Sequence, residues 1–340
     1  MKLRKLLGMA ALATTLAGPA ALQAQTVEEF YSGKTVNLYI GYSVGGGYDT
    51  YARLLAAHIG KHIPGNPDVV PINMPGAGSL RLMNWLAEAA PKDGTAFGAV
   101  ARAVPFEPLL GNEAASFDAK EMNFIGNINA ETSLCAVNAD TGITSVDQMK
   151  EQEVMMGGTG AASDPNQQSN ILNEALGTKM RIIDGYPGGN DIVLAMERGE
   201  VSGRCGWSWS TIQATRADWV TDGTVNLLLQ IARKPHPDLP DVPLASDLAE
   251  TPQAKSLISF IVAPQEMGRP YVAPPGVPED RVRALRDAFD ATMEDPDFLA
   301  AAKETGVSIT PSTGAELKEI VEEVYAADPE TVERVIQIVR

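Results

Sequence analysis

Four times along this 340-residue chain a run of β-forming residues stops at a glycine- or small-residue turn and a helical pattern begins: at 41–47, 76–79, 157–160 and 185–189. That repetition constrains the fold more than any other feature. A strand that leads through a tight turn into an amphipathic helix is one βα unit, and successive units build a sheet with helices packed on its faces. Residues 35–40 (Thr-Val-Asn-Leu-Tyr-Ile) predict the first strand, and Leu54, Leu55, His58, Ile59 and His62 follow at helical spacing. Pro64-Gly65-Asn66-Pro67 ends that helix. Residues 68–73 predict a second strand, a helix carries Leu82, Trp85, Leu86 and Ala89, and residues 95–101 predict a third strand.

The middle of the chain repeats the theme. Strands are expected at 134–138, 154–156, 180–183, 201–205 and 225–231, with helices at 166–176 and 190–198. Residues 256–262 are β-rich and read as a strand leading back to the first unit, and the end is helical at 279–293, 296–305 and 329–338. The length suits two domains of ordinary size. The expectation is an α/β protein of two lobes, each a mainly parallel sheet flanked by helices. Lobe one takes 25–128 and 262–340, lobe two takes 129–261, and the chain crosses between them twice.

Composition narrows the partners. At 44% hydrophobic and 21% charged the chain is globular. Its formal charge of -16 makes it a poor ligand for the nucleic-acid backbone. Lys2, Arg4 and Lys5, the short apolar run 6–18 and Ala20-Ala21-Leu22-Gln23-Ala24 read as a secretory signal, residues 1–24, cut after Ala24. No later stretch approaches the ~20 apolar residues of a membrane span, so direct membrane insertion is not expected. Export to an oxidising periplasm would let Cys135 and Cys205 pair, and two separate buried thiols are the alternative. With two cysteines, three histidines (His58, His62, His236) and no acidic cluster beside them, neither a metal site nor a cofactor is expected.

The turns carry the chemistry. In open α/β sheets ligands bind beyond the carboxyl ends of the strands. Glycine lets backbone N–H groups approach an anion, and a helix starting there adds partial positive charge. Two such turns in each lobe point to an anion site between the lobes. Three other readings compete. Gly41-Tyr42-Ser43-Val44-Gly45 matches the G-x-S-x-G elbow of a serine hydrolase with Ser43 as nucleophile. However, it follows the first strand, so no earlier loop exists to build the oxyanion hole, and only His236 stands late enough to serve as base. Gly45 and Gly47 begin a dinucleotide fingerprint, but Thr50 stands where the third glycine belongs. No P-loop pattern occurs.

Several segments, taken in order, carry a resemblance. They are the turn and helix Gly45-Gly46-Gly47-Tyr48-Asp49-Thr50-Tyr51-Ala52-Arg53, then Asn73-Met74-Pro75-Gly76-Ala77-Gly78 and Pro91-Lys92-Asp93-Gly94-Thr95. The loop from Gly158-Thr159-Gly160 to Asp164-Pro165, then Tyr186-Pro187-Gly188-Gly189, and Ala273-Pro274-Pro275-Gly276-Val277-Pro278 complete them. With these the chain resembles the periplasmic substrate-binding receptors of tripartite tricarboxylate transporters, the Bug family. The resemblance implies a two-lobed periplasmic-binding-protein clamshell (type II-like) with no catalysis of its own. Such a receptor captures a small organic carboxylate between its lobes and delivers it to membrane subunits of the transporter. A sensor that reports the same binding event to a signalling partner stays open.

In such receptors loops of both lobes hold the carboxylate, largely through backbone amides and waters. Carried onto this chain, the first lobe would contribute Tyr42, Ser43, Gly46, Tyr48 and Asp49, with Gly78 and Arg102. The second would contribute Thr159, Gly160, Ser163, Asp164, Tyr186 and Pro187. Asp49 also reads as a helix cap that shapes its loop, and Arg102 as a solvated surface arginine. Trp207 is either an aromatic wall for a ring-bearing ligand or one of two tryptophans, with Trp209, divided between core and surface. Arg204 beside it can oppose a second carboxylate. Two departures fall at the expected pocket. Tyr42-Ser43-Val44-Gly45-Gly46 replaces an aromatic-Pro-x-Gly-Gly opening, and Ser79 stands where glycine usually follows Pro-Gly-Ala-Gly.

Overall fold

The computed structural model describes residues 25–340, so the expected signal segment 1–24 lies outside the described residues. The strands are β1 (Thr35–Ile40), β2 (Asp68–Asn73), β3 (Ala96–Ala99), β4 (Asn123–Asn127), β5 (Ser133–Asn138) and β6 (Val154–Gly157). Then come β7 (Met180–Ile183), β8 (Gly203–Ser208), β9 (Val225–Ile231), β10 (Pro270–Ala273) and β11 (Ser312–Thr313). They form two sheets flanked by helices, in the orders β11-β4-β10-β3-β1-β2 and β7-β6-β8-β5-β9. The molecule is an α/β protein of two lobes.

The sheets are mixed, which corrects the expectation of mainly parallel pairing. β1 pairs parallel with β2 and β3, and β6 with β7 and β8. β10 runs antiparallel to β3 and β4, and β5 antiparallel to β8 and β9. β11 runs antiparallel to β4 as well; apart from this two-residue strand, the reversed strands are those on which the chain enters a lobe. A βα unit returns each strand to the same end of the sheet. The chain leaves a lobe at the carboxyl end of β4 or β9, so β5 and β10 start at that end and run the other way.

Local burial follows the pattern read from sequence. Val36, Leu38 and Ile40 alternate into the first core from β1, and the helix Gly47–Ile59 covers them with Tyr51, Ala52, Leu55 and Ile59. Residues 256–262, expected as a strand, belong to the helix Pro252–Val262. Thr251 caps it by accepting from the Ala254 N–H at 3.1 Å, and Pro252 occupies its first turn, where the missing N–H costs nothing. Leu257, Ile258 and Ile261 are buried where this helix packs on the helix Asp164–Leu176. A short β-branched run bounded this way suits either element, and the cap decides it.

The helix Gly314–Tyr325 packs on β4, but the last helix, Pro329–Val339, departs from the expected first-lobe assignment of 262–340. It lies against the helices Asp164–Leu176 and Pro252–Val262, where Arg334 pairs with Glu174. Cys135 on β5 and Cys205 on the adjacent β8 form a disulfide wholly within the second sheet. Among the described residues no helix is long and apolar enough to cross a membrane.

Candidate functional site

The two sheets point the carboxyl ends of their βα strands at one another, and a cleft lies between them. The helices Gly47–Ile59, Asp164–Leu176, Gly189–Glu197 and Trp209–Thr221 all begin at this cleft, two of them directly from the predicted glycine turns. Each helix start brings partial positive charge to the same space, although the Trp209 N–H is already bonded to the Thr132 carbonyl at 2.9 Å. Tyr42, Tyr48 and Trp207 form its aromatic wall, with the Tyr42 and Tyr48 ring centroids 4.8 Å apart. Burial raises the phenol pKa of both tyrosines, so they stay neutral. The Tyr48 hydroxyl accepts from the Arg102 N–H (3.1 Å) and donates to the Gly268 carbonyl (3.2 Å).

Three buried arginines line the cleft. Arg102, 2% exposed, is not the solvated residue of the alternative reading. From the loop after β3 it reaches across to lobe two, where its Nε donates to Asp164 and its Nη2 to Ser208 Oγ at 3.0 Å. Arg269, where the chain re-enters lobe one, pairs with Glu131 on the first crossing. It also donates to Asn129 Oδ1 (3.2 Å) and Thr211 Oγ1 (2.8 Å), and its guanidinium lies 4.0 Å from the centre of the Tyr51 ring. One residue thus ties both crossings to both lobes. Arg204, on β8, has no carboxylate partner among the described residues. It donates to the carbonyls of Gly189 (2.8 Å) and Gly206 (3.2 Å), and its Nε is buried without a partner. Burial, helped by the charge of Arg102, pushes its pKa down to about 10, and the opposing effects of Tyr42 and Asp164, neither of which it hydrogen-bonds, do not restore it.

Of the expected ligand contacts, the cleft gathers Tyr42, Gly46, Tyr48, Arg102, Thr159, Asp164 and Trp207. Trp207 and Trp209 are both buried, so neither is the surface residue of the core reading. Thr159 presents a buried Oγ1 with no hydrogen-bond partner. Ser43, Gly78, Gly160 and Ser163 sit instead where the lobes touch. Ser43 Oγ donates to Asp191 at 2.5 Å and its N–H to the Pro187 carbonyl at 3.3 Å. A Cβ on Gly78 would collide with Ser163, and one on Gly160 with the backbone of Ala77 and Gly78. Both glycines have positive φ (63° and 120°), so conformation and close approach each require glycine there.

Asp49 faces away from the cleft. Its carboxylate accepts from the Gly45 N–H (2.9 Å), Arg53 Nε (2.9 Å) and Asn73 Nδ2 (2.8 Å). Burial alone would raise its pKa, but these bonds outweigh burial and hold it below the usual carboxylate range. It shapes the turn before the helix through the Gly45 N–H rather than capping the helix's own first N–H groups, since the helix has no side-chain cap. Tyr186 and Pro187 line a separate outer groove with Pro75 and Ala77. Sequence reading missed Arg269 and Thr211. Nothing marks either locally, since their partners lie roughly 60 or more positions away.

A two-lobed α/β fold closed around one cationic cleft defines the class as a solute-binding receptor. Residues 51–336 match the family described as tripartite tricarboxylate transporter family receptor (TctC), and the chain belongs to that family. It is 28% identical over 295 residues to a Cupriavidus necator protein described as "UPF0065 protein in gbd 5'region", covering 85% of this chain and 83% of that one. The solved structure of the periplasmic binding protein BugD superposes with a TM-score of 0.72 at 20% identity, covering 91% of this chain and 99% of BugD. MatC from Rhodopseudomonas palustris, solved with bound malate, gives 0.69 at 18% identity, covering 90% and 99%. These structural likenesses carry the fold.

Proposed function

We propose that this chain is exported to the periplasm, loses residues 1–24 after Ala24, and acts there as a non-catalytic receptor for a small organic carboxylate. Lobe one (25–128 with 262–340, the last helix of which lies against lobe two) and lobe two (129–261) close on the ligand, and the closed form docks on membrane subunits of a tripartite tricarboxylate transporter. Arg204 carries the reading: a guanidinium buried without a carboxylate partner needs an anion from outside the chain. Four helix starts at the same cleft support it, as does the malate held by MatC. Tyr42, Gly46, Tyr48, Arg102, Thr159 and Trp207 touch the ligand, while Ser43, Gly78, Gly160 and Ser163 hold the lobes together around it.

The hydrolase reading finds no support in the geometry. Ser43 Oγ donates to Asp191, whereas His62 bonds Asp295 (2.7 Å) and His236 accepts from the Asp238 N–H (3.2 Å). The test is a thermal-shift screen of oxidised protein freed of ligand by unfolding and refolding. The panel holds mono-, di- and tricarboxylates, amino acids, sugars and cations. A ligand at 100 times its Kd adds about 2.7 kcal/mol to the folded state, and the midpoint then rises on the order of 4 °C or more. A shift restricted to carboxylates is expected. A shift from a sugar or cation alone removes the anion site.

A further inference from the structure

We infer that the closed cleft is balanced for one negative charge: its ligand is a monocarboxylate with an apolar body, and Asp164 is the residue that turns a second carboxylate away. The inference rests on the carboxylate-receptor reading and narrows it.

The charged groups come from five different elements. Arg102 follows β3, Asp164 opens the helix Asp164–Leu176, Arg204 is on β8, Arg269 precedes β10, and Glu131 lies on the first crossing. Two of the arginines are already neutralised by the chain itself. Arg102 holds Asp164, and Arg269 holds Glu131, both as buried pairs. Three guanidiniums against two carboxylates leave one positive charge, and it falls on Arg204, 6% exposed, with an unpartnered Nε. Arg102 Nη1 is also without a partner and can donate to a ligand oxygen, but its charge is met by Asp164.

A buried charge without a counter-ion is costly, and so is one too many of the opposite sign. A monoanion brings the closed cleft to neutrality. A dianion leaves it net negative, with one ligand carboxylate competing with Asp164 for the same arginine. Much of the remaining wall suits an apolar body: Tyr42, Tyr48, Pro165, Val193 and Trp207. Thr159 Oγ1, buried and unpartnered, offers one neutral hydrogen bond. Asp164 thus acts as a built-in stand-in for the second carboxylate, and Arg204 as the group that selects the first.

The experiment is calorimetric titration of the refolded, oxidised protein with matched acids sharing one body. The pairs are unbranched monoacids of three to eight carbons against their α,ω-diacids, and benzoate against terephthalate. For its best-fitting body, the wild type is expected to bind the monoacid at least ten-fold more tightly than the diacid. Asp164→Asn keeps an oxygen for Arg102 and removes the charge, so it is expected to shift that ratio at least ten-fold toward the diacid. Arg204→Gln is expected to lose the monoacid at least ten-fold, and Arg204→Lys to restore part of it. A wild type that prefers the diacid overturns the inference and leaves the receptor reading standing. A ratio unmoved in a cooperatively folding Asp164→Asn also overturns it. Binding of none of these acids, where the thermal-shift panel finds another carboxylate that binds, overturns the inference alone; no carboxylate binding in either experiment overturns both readings. The wild-type ratio decides the matter whether or not Asp164→Asn folds.

Discussion

Ser79 occupies the left-handed region of backbone space (φ 79°) although it carries a side chain, and its Oγ accepts the buried Ala101 N–H at 3.1 Å. The position favours glycine, and the hydrogen bond is what the serine adds. Gly41, at the end of β1, leaves the room this serine uses, since a Cβ there would collide with Ser79 Oγ. Gly41→Ala is therefore expected to destabilise by about 1–3 kcal/mol, as overpacking does. Ser79→Gly leaves the buried Ala101 N–H unpaired, at about 1–3 kcal/mol, against relief of backbone strain of about 1 kcal/mol, so a net loss on the order of 1 kcal/mol is expected. Urea unfolding checks both, and a Gly41→Ala protein as stable as wild type removes the steric account. Asp295 gives a pH-dependent case. It accepts from Lys61 Nζ, bonds His62 Nε2 (2.7 Å) and caps the helix Pro296–Thr305 through the Asp297 N–H (2.8 Å). The Lys61 bond leads in holding its carboxyl well below the usual range, against the opposing effect of burial. A depressed carboxylate stabilises above its unfolded pKa, about 3.9, and that contribution disappears as pH falls through the folded value. Asp295→Asn keeps a capping side chain, so it should melt below wild type at pH 7, with the gap closing as the pH drops below about 4. A gap independent of pH assigns the effect to packing. Asp49 was half legible at this scale: its place in the first turn of a helix is local, and it closes the turn through the Gly45 N–H instead of capping the helix. Arg102 was half legible: its place after a strand is local, but its partner Asp164 is 62 residues away.

The strand–turn–helix units were legible because each carries its whole signal within about 20 residues: a β-forming run, a small-residue turn and an amphipathic repeat. β4 and β10 were not: β4 leads into the crossing and β5 with no helix between, and β10 is a short strand that opens on Pro270 just past the return crossing. The helix Pro252–Val262 shows the converse, with β-branched residues held helical by Thr251 and by burial against a neighbouring helix. Cys135 and Cys205 gain meaning at this scale. The bond joins neighbouring strands β5 and β8 across 70 positions of sequence, so the loop it closes in the unfolded chain is long while the folded structure it constrains is local. In the chain-entropy model such a loop contributes about 4 kcal/mol. Cys135→Ala with Cys205→Ala is expected to lose stability of that order in urea unfolding. Carboxylate affinity should stay within about three-fold at temperatures where the variant is folded, because the bond spans no lobe boundary. Affinity lost in step with the bond would place it in the closing movement.

In the whole molecule the two crossings set the direction of β5 and β10, and with it the mixed sheets that alternation alone did not reveal. They also set the lobes mouth to mouth, so that turns read separately in the sequence meet in space. Lobe position was legible from the glycine turns; contact across the cleft was not, because it depends on how two rigid bodies meet. Those contacts describe a shut clamshell. Ser43 of lobe one bonds Asp191 and the Pro187 carbonyl of lobe two, Gly78 abuts Ser163, and Arg102 crosses to Asp164. Gly188 tests whether this contact is needed for tight binding. Its backbone is extended (φ -171°), a conformation any residue adopts, yet a Cβ there would collide with Ser43 Oγ. Gly188→Val should leave each lobe folded, at a cost of about 1 kcal/mol for the helix start it caps, while holding the mouth ajar. Small-angle scattering is expected to show the wild type contracting with saturating carboxylate and the variant contracting less. Titration should show at least ten-fold weaker binding, since a cleft left ajar keeps water beside Arg204 and weakens its hold on the anion. A variant that contracts fully and binds as tightly as wild type would show that the Ser43–Gly188 contact follows closure without stabilising it, and would move the closing energy to the Arg102–Asp164 bridge deeper in the cleft.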